Sequence, residues 1–153
     1  NPSPTEGEFS CLDILQKNLS DNFEIYFQPY INGDHPDIVV LRKNAGVFII
    51  EVKDWIFSNY TIDDKNTWKL KKNNAILKSP IDQVRNYKEN LYNLHINGLL
   101  EAKIQNKKLF SLIKTGIYFH KESSNNINTF IQKKDKYIKY DEEIDKNLGN
   151  EGL

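Results

Sequence analysis

The 153-residue sequence has one cysteine, no methionine and only two arginines, and its formal net charge is zero. The lone Cys11 cannot form an internal disulfide, which favours a reducing compartment such as the cytoplasm. No apolar run is long enough to span a membrane, and the N-terminus lacks a signal-peptide pattern. The balanced charge argues against a strongly basic nucleic-acid binder. Because arginine is the commonest specific reader of guanine, its scarcity predicts little sequence specificity towards any nucleic acid.

The bulk composition is typical of a globular protein with a polar surface, with 39% hydrophobic and 27% charged residues. At this length we expect residues 1–153 to form a single domain with a sizeable core. Because the sequence has no initiator methionine, we expect either a processed chain or, in preference, an excised piece of a longer protein. We expect this piece to be the N-terminal part of that protein.

Glu51 and Lys53 end an apolar run that begins at Gly46 and is typical of a strand. Residues two apart on a strand share a face, so both side chains lie on one side, roughly 6.5 Å apart. Charged groups at the end of a buried strand need a partner or a bound metal ion. Because a Glu-x-Lys triplet is common by chance, a plain ion pair at the strand end is the alternative.

Asp37 begins a second strand-like run, and the short connection through Asn44 to Gly46 is typical of a hairpin turn. Folding the chain there places Asp37 across from Glu51 or Val52, depending on register, at about 4.5–5.5 Å. Two carboxylates this close repel each other unless a cation lies between them, and Mg²⁺ or Mn²⁺ prefers such oxygen ligands. In the alternative, the register turns Asp37 to the opposite face or leaves it in the loop.

Two predicted helices flank this sheet end. Thr5 and Glu8 have the spacing of a capping box at the start of the first helix, so Glu8 is a cap, a metal-site carboxylate, or both. The Ser-Pro pair at residues 79–80 begins the second helix, on which Gln83 and Tyr87 form a ridge beside the apolar stripe. The Gln83 amide could orient a water or contact a phosphate, or it could be an ordinary boundary glutamine.

Between the Glu-x-Lys strand and the second helix, the sequence predicts a hairpin insertion. Its lysines could contact phosphates and its aromatic rings could stack on unpaired bases. The candidate nucleic-acid contacts there are Lys69, Lys71, Lys72 and Trp68. In the alternatives, the lysines form a solvated face and the aromatic rings cover the sheet edge.

The pattern is weaker towards the C-terminus. We predict a helical segment at residues 99–107, a strand at 109–119, a polar loop at 123–128 and an acidic helix from Asp141 to Gly149. No internal repeat or low-complexity linker interrupts this order.

Four motifs, taken in chain order, resemble the PD-(D/E)XK nuclease superfamily, and their pattern over residues 5–95 is most similar to the nuclease-related domain, NERD. These motifs are Gly7-Glu8, Pro36-Asp37, Glu51-Val52-Lys53 and Gln83-x-x-x-Tyr87. The resemblance implies an α/β fold with an α-β-β-β-α-β core, in which helices flank a mixed central sheet and a hairpin insertion follows the Glu-x-Lys strand. One departure is Ser79, where the family often has asparagine.

The resemblance also implies the roles of the site residues. The metal ligands for Mg²⁺ or Mn²⁺ would be Asp37, Glu51, Glu8 and the backbone carbonyl of Val52. Lys53 would orient or help to deprotonate the attacking water and would steady the charged phosphate. Gln83 and Tyr87 would correspond to the Q-x-x-x-Y element of exonuclease-like members, with Gln83 in the catalytic set and Tyr87 near the nucleic acid.

The leading hypothesis is therefore a Mg²⁺-dependent deoxyribonuclease domain with little sequence specificity. Because domains of this family often accompany helicase modules, the resemblance also implies a helicase partner and a role in DNA repair or anti-phage defence. The first alternative is a non-catalytic module that keeps the fold and binds DNA or protein. The second is a structural domain whose ion pair only stabilises the sheet end. The intact set of two acids and one lysine favours the enzyme.

Overall fold

The computed structural model describes residues 3–93 and 112–132. The chain divides into two compact units, one formed by Asn1–Asp54 with Pro80–His120 and the other by Trp55–Ser79 with Lys121–Leu153. The helices predicted at residues 99–107 and from Asp141 lie outside the described residues. No helix in the described ranges is both long enough and apolar enough to cross a membrane.

The order of helices and strands confirms the predicted α/β core and the insertion after the Glu-x-Lys strand. In chain order the elements are α1 (Glu6–Asn18), β1 (Phe23–Phe27), β2 (Ile38–Arg42), β3 (Gly46–Lys53), β4 (Tyr60–Ile62), β5 (Trp68–Leu70), β6 (Ile76–Leu77), α2 (Pro80–Asn93), β7 (Ile113–Phe119) and α3 (Ser124–Gln132). Of these, α1, β1, β2, β3, α2 and β7 form the α-β-β-β-α-β core.

The first unit contains a four-stranded mixed sheet in the order β1-β2-β3-β7. The first three strands are antiparallel neighbours, whereas β7 runs parallel to β3. Asn44 has a φ of 62° in the turn between β2 and β3, a conformation that asparagine tolerates. Gly46 has a φ of 151°, and a Cβ there would lie 2.3 Å from the backbone oxygen of Leu112, so only glycine fits.

Each face of this sheet packs against one helix, and strand alternation assigns the residues to their faces. On one side, α1 covers a core cluster that includes Cys11, Ile38, Val40, Ile50 and Val52. On the other side, α2 covers a cluster that includes Val39, Ile49, Val84, Tyr87, Tyr92 and Ile113. Burial is also the main cause that raises the pKa of the Cys11 thiol to about 11, so this thiol is neutral at physiological pH.

The second unit contains a small antiparallel sheet in the order β4-β5-β6, together with α3. The polar loop predicted at residues 123–128 is wrong, because α3 begins at Ser124. Ile127, Phe130 and Ile131 recur at helical spacing, and the Phe130 ring stacks on Phe57 with centroids 4.2 Å apart. This packing stabilises a helix in a segment that looks polar in the sequence.

Candidate functional site

The hairpin of β2 and β3 brings two carboxylates to one end of the sheet. Ile38 pairs with Ile50, so Asp37, which immediately precedes β2, lies opposite Glu51. The backbone N–H of Val52 donates a hydrogen bond to Asp37 Oδ2 at 2.7 Å, which fixes the carboxylate against β3. Of the two registers that the sequence left open, the structure has the one that pairs Asp37 with Glu51.

Glu51 is only 2% exposed, and its two oxygens have different surroundings. Oε1 accepts hydrogen bonds from Lys53 Nζ at 2.5 Å and from Gln83 Nε2 at 2.6 Å. Oε2 is buried and has no hydrogen-bond partner within the described part of the chain. An unfilled acceptor on a buried carboxylate is costly, so this oxygen is available to accept a hydrogen bond or to bind a cation.

Gln83 lies in the first turn of α2, and its amide connects three polar side chains. Besides Glu51, its Nε2 donates to the Tyr87 hydroxyl at 2.6 Å, while its Oε1 accepts from Lys53 Nζ at 3.4 Å. Gln83 and Tyr87, which the sequence predicts to be neighbours on α2, are therefore hydrogen-bonded to each other. The amide also holds Lys53 and Glu51 in a fixed relative orientation.

The sequence predicts Tyr87 on a ridge beside the apolar stripe of α2, but in the structure Tyr87 belongs to the buried face of this helix. It is 6% exposed and packs in the core beneath α2, where burial raises the pKa of its hydroxyl. A side chain this buried is not available to a nucleic acid. Its hydroxyl accepts a hydrogen bond from Gln83 instead. In the structure Tyr87 therefore helps to hold the Gln83 amide in place and does not face a nucleic acid.

Asp37 has an electrostatic environment that disfavours its ionised form. Burial is the largest cause and the neighbouring Glu51 and Glu8 add to it, whereas the Val52 N–H and Lys53 act in the opposite direction. Together these effects raise the pKa of Asp37 to about 7. Asp37 is thus close to two other carboxylates and one ammonium group, and a bound cation would relieve the repulsion between the carboxylates.

Glu8 is the third helical residue in the capping box of α1, whose N-cap is Thr5. Its Oε2 accepts from the backbone N–H of Thr5 at 2.6 Å, and its own N–H donates to Thr5 Oγ1 at 3.2 Å, which completes the capping box. Its Oε1 accepts from Gln28 Nε2 at 3.0 Å. Both oxygens are therefore engaged by protein donors. The cap interpretation is confirmed, while the metal-ligand role of Glu8 stays a prediction.

Two residues that contribute to this site were missed by the sequence analysis. The Gln28 side chain donates a hydrogen bond to Glu8. No sequence motif predicts this contact or the backbone φ of 45° at Gln28, which is unusual for glutamine. Asp54 accepts a hydrogen bond from the Gly7 N–H at 3.4 Å. A Cβ at Gly7 would lie 2.5 Å from Asp54 Oδ1, so glycine allows the start of α1 to approach the end of β3.

The fit of a metal ion can be tested on the donor atoms themselves. In residues 3–93 and 112–132, no group of three or more His, Cys, Asp and Glu side chains is arranged to hold a metal ion. Asp37 and Glu51 nevertheless form an opposed pair, and no donor among the described residues fills the lone pairs of Glu51 Oε2. Two carboxylates with a backbone carbonyl fit a hard cation that keeps several of its water ligands, as Mg²⁺ does.

The predicted nucleic-acid contacts of the hairpin insertion belong to the second unit. Lys69 Nζ lies 2.8 Å from Asp63 Oδ2, and this pair lowers the pKa of Asp63. Lys71 and Lys72 are exposed in the turn after β5. Trp68 is 1% exposed and packs in an aromatic cluster that includes Phe57, so its ring offers no face to a base. The alternative of an aromatic cover over the small sheet describes it better.

Comparison with known protein families identifies a match. The model of a family described as nuclease-related domain, NERD, matches residues 3–115. The matched range contains all four motifs and ends within β7. No curated protein and no solved structure matches the sequence.

Proposed function

The chain belongs to the nuclease-related domain family, and from this premise we propose that it hydrolyses DNA phosphodiester bonds with the help of a divalent metal ion. The observation that carries the proposal is the buried Oε2 of Glu51, which has no partner among the described residues and lies in a carboxylate pair with Asp37. A purely structural ion pair at a strand end does not require an unfilled carboxylate oxygen.

The donors proposed for Mg²⁺ or Mn²⁺ are Asp37, Glu51 and the backbone carbonyl of Val52, with Glu8 as a nearby negative charge that adds to the field. The bound ion would lower the pKa of a water molecule and neutralise charge on the phosphate. The Val52 N–H keeps Asp37 facing β3, so its remaining oxygen is presented at the sheet end.

Lys53 is the residue that we propose to act on the reacting groups. Its ammonium donates hydrogen bonds to Glu51 and Gln83, which keep it next to the carboxylate pair. From there it can donate a hydrogen bond to a phosphate oxygen, and it can orient an attacking water. Gln83 acts through its neighbours, because its amide positions both Glu51 and Lys53.

We propose DNA contacts that carry little sequence information. Arginine occurs only at Arg42 and Arg85, whereas lysine contacts with phosphate are independent of sequence. Lys71 and Lys72 are exposed, and they are candidates for such contacts. From family resemblance we further propose cytoplasmic action beside a helicase module, in DNA repair or in defence against foreign DNA.

The test is a cleavage assay with the purified full chain on linear, circular and single-stranded DNA, in Mg²⁺, in Mn²⁺ and in chelator. We expect cutting that requires metal and that falls at least about 100-fold in Asp37→Ala. Asp13→Ala is the matched control, because Asp13 is an aspartate on α1 whose side chain is 46% exposed and pairs with Lys17 on the same helix. Circular dichroism checks that each variant folds.

A second candidate is the non-catalytic binding module, which is favoured by the lack of a three-residue metal group in the described ranges. It predicts DNA binding that weakens with salt and is indifferent to metal and to Asp37→Ala. Metal-independent binding without cleavage would select this candidate over the nuclease.

A further inference from the structure

The loop between β1 and β2 carries an exposed aromatic pair that the function proposed above does not use. The Tyr30 side chain is 71% exposed. Its ring lies beside that of His35, with centroids 5.1 Å apart and planes inclined by 56°. His35 is exposed as well. A tyrosine this exposed buries little apolar area, so the fold itself gives no reason for an aromatic ring here.

This loop has a defined conformation. Ile31 and Asp34 exchange two backbone hydrogen bonds of 2.9 Å each, and the intervening Asn32 and Gly33 have φ values of 49° and 91°. Two successive positive φ values are typical of a tight hairpin turn of type I′. On the far side of the turn, Asn90 of α2 donates to Asp34 Oδ2 at 2.5 Å. The loop therefore presents Tyr30 on an ordered support.

Prolines frame the aromatic pair on both sides. Pro29 precedes Tyr30, and the fully buried Pro36 follows His35. Since proline fixes its own φ and restricts the preceding residue, little backbone freedom remains to be lost when a ligand binds. A preorganised loop of this kind lowers the entropic cost of binding.

The same loop is joined to the acidic residues of the candidate site. The Gln28 N–H donates to the backbone oxygen of Asp37 at 2.8 Å, and the Gln28 side chain donates to Glu8. His35 is two residues before Asp37 in the chain. Two residues span at most about 7 Å of extended chain, so the aromatic pair lies near Asp37.

Resting on the nuclease function proposed above, we propose that Tyr30 and His35 form a stacking platform for one unpaired base, and that the preferred substrate is single-stranded nucleic acid. Every base has an aromatic face, so stacking does not depend on sequence, which agrees with the scarcity of arginine. Bases inside a duplex are already stacked on their neighbours and have no free face. An unpaired base can leave its neighbours and place one face on Tyr30.

The test measures binding without cleavage, by fluorescence anisotropy in chelator, using the full chain and a labelled oligothymidine of about 12 nucleotides. Four proteins are compared: wild type, Tyr30→Leu, Tyr30→Phe and Tyr26→Leu. Tyr26 is the matched control, because it is also an exposed tyrosine but lies within β1. Circular dichroism confirms that all four are folded.

We expect Tyr30→Leu to bind the single strand roughly 10-fold more weakly than wild type, because leucine keeps apolar area but has no aromatic face. Tyr30→Phe and Tyr26→Leu should stay within about 2-fold of wild type, and duplex binding should not change in any variant. Wild type should also prefer oligothymidine to an abasic strand of equal length, and Tyr30→Leu should lose that preference.

The platform is overturned if Tyr30→Leu binds the single strand as tightly as wild type, or loses the same factor on duplex and single strand. It is also overturned if wild type does not distinguish oligothymidine from the abasic strand. These outcomes are independent of hydrolysis. If Asp37→Ala still cuts DNA, the nuclease proposal fails at that site, while the dependence of binding on Tyr30 is measured unchanged.

Discussion

Glu8 and Glu51 are both almost fully buried, at 4% and 2% exposure, yet their surroundings differ. Each oxygen of Glu8 accepts its own hydrogen bond, one from Thr5 and one from Gln28. Glu51 receives both of its donors on Oε1, and its Oε2 has no partner among the described residues. Burial is therefore common to the capping carboxylate and to the proposed metal ligand, and the unfilled acceptor is what distinguishes them.

The energetic consequences of the two arrangements are opposite. A satisfied capping box stabilises the start of a helix, typically by about 1 kcal/mol. A buried acceptor without a donor costs about 1–3 kcal/mol, and the opposed Asp37 adds repulsion. We infer that α1 uses Glu8 for stability, whereas the end of β3 sacrifices stability at Glu51 for the binding of a cation.

The comparison predicts its largest effect for amide replacements of the two glutamates. Glu51→Gln should lower metal-dependent DNA cleavage at least about 100-fold, because the amide removes the negative charge and one oxygen acceptor. Glu8→Gln should stay within about 3-fold of wild type, because glutamine is also accepted in a capping box. Initial cleavage rates on the same DNA measure both variants. Equal losses in the two variants would remove the distinction drawn here.

The next largest effect is expected at Gln83, which donates a hydrogen bond to Oε1 of Glu51. Gln83→Ala removes a donor from Oε1 and an acceptor from Lys53, so cleavage should fall roughly 10–100-fold without loss of fold. Asn86→Ala is the matched control, because it removes an exposed amide from the same helix. Cleavage by Gln83→Ala at the rate of Asn86→Ala would show that the amide of Gln83 does not position the site.

A smaller effect follows from the raised pKa of Asp37. Its folded pKa of about 7 lies above the ordinary 3.8, so the folded protein binds the proton more tightly than the unfolded chain. Stability therefore falls as pH rises from about 4 to about 7, and the full cost is present above that range. Asp37→Asn removes this cost while keeping an acceptor for the Val52 N–H.

In metal-free buffer at pH 8, Asp37→Asn should be more stable than wild type by about 1–2 kcal/mol, a value reduced for partial exposure to solvent. The gain should disappear near pH 4, where both proteins carry a neutral group. Chemical denaturation at the two pH values measures the difference. A gain of equal size at both would show that the carboxylate is not destabilised by its charge.

The smallest effect is expected for Glu8, the buried carboxylate of the capping box. Glu8→Ala should lower the free energy of unfolding by about 1 kcal/mol, because Thr5 and Gln28 both lose their acceptor. Glu6→Ala is the control, since Glu6 is also in the first turn of α1 but its side chain is 73% exposed. Thermal unfolding should show the larger decrease for Glu8→Ala; the reverse order would contradict its role as the cap.

Local chemistry explains why much of this arrangement could be predicted from the sequence. The apolar run of residues 46–53 identifies β3, and the period of two along a strand gives the face of Glu51. The turn at Asn44 and Gly46 sets the hairpin that brings Asp37 opposite. The capping box at Thr5 likewise predicts the start of α1 within a few residues. Each of these signals is contained in a short stretch of chain.

The remaining features depend on contacts between distant parts of the chain. Gln28, which follows β1, contacts Glu8 in α1, and Asp54 contacts Gly7, 47 positions away in the chain. No local sequence pattern indicates either contact. The sequence predicts Tyr87 beside the apolar stripe of α2, but the buried residues of this helix include Tyr87 itself together with Val84 and Tyr92. Tertiary packing decided these outcomes.

The most direct measurement of the central claim is thermal unfolding of wild type, Glu8→Gln and Glu51→Gln with and without Mg²⁺ or Mn²⁺. An ion that binds only the folded state stabilises it by about 2.7 kcal/mol at 100 times its dissociation constant. We predict this increase for wild type and Glu8→Gln, and little or none for Glu51→Gln. An increase in Glu51→Gln as large as that of wild type would contradict the claim that the unfilled oxygen of Glu51 is where the metal binds.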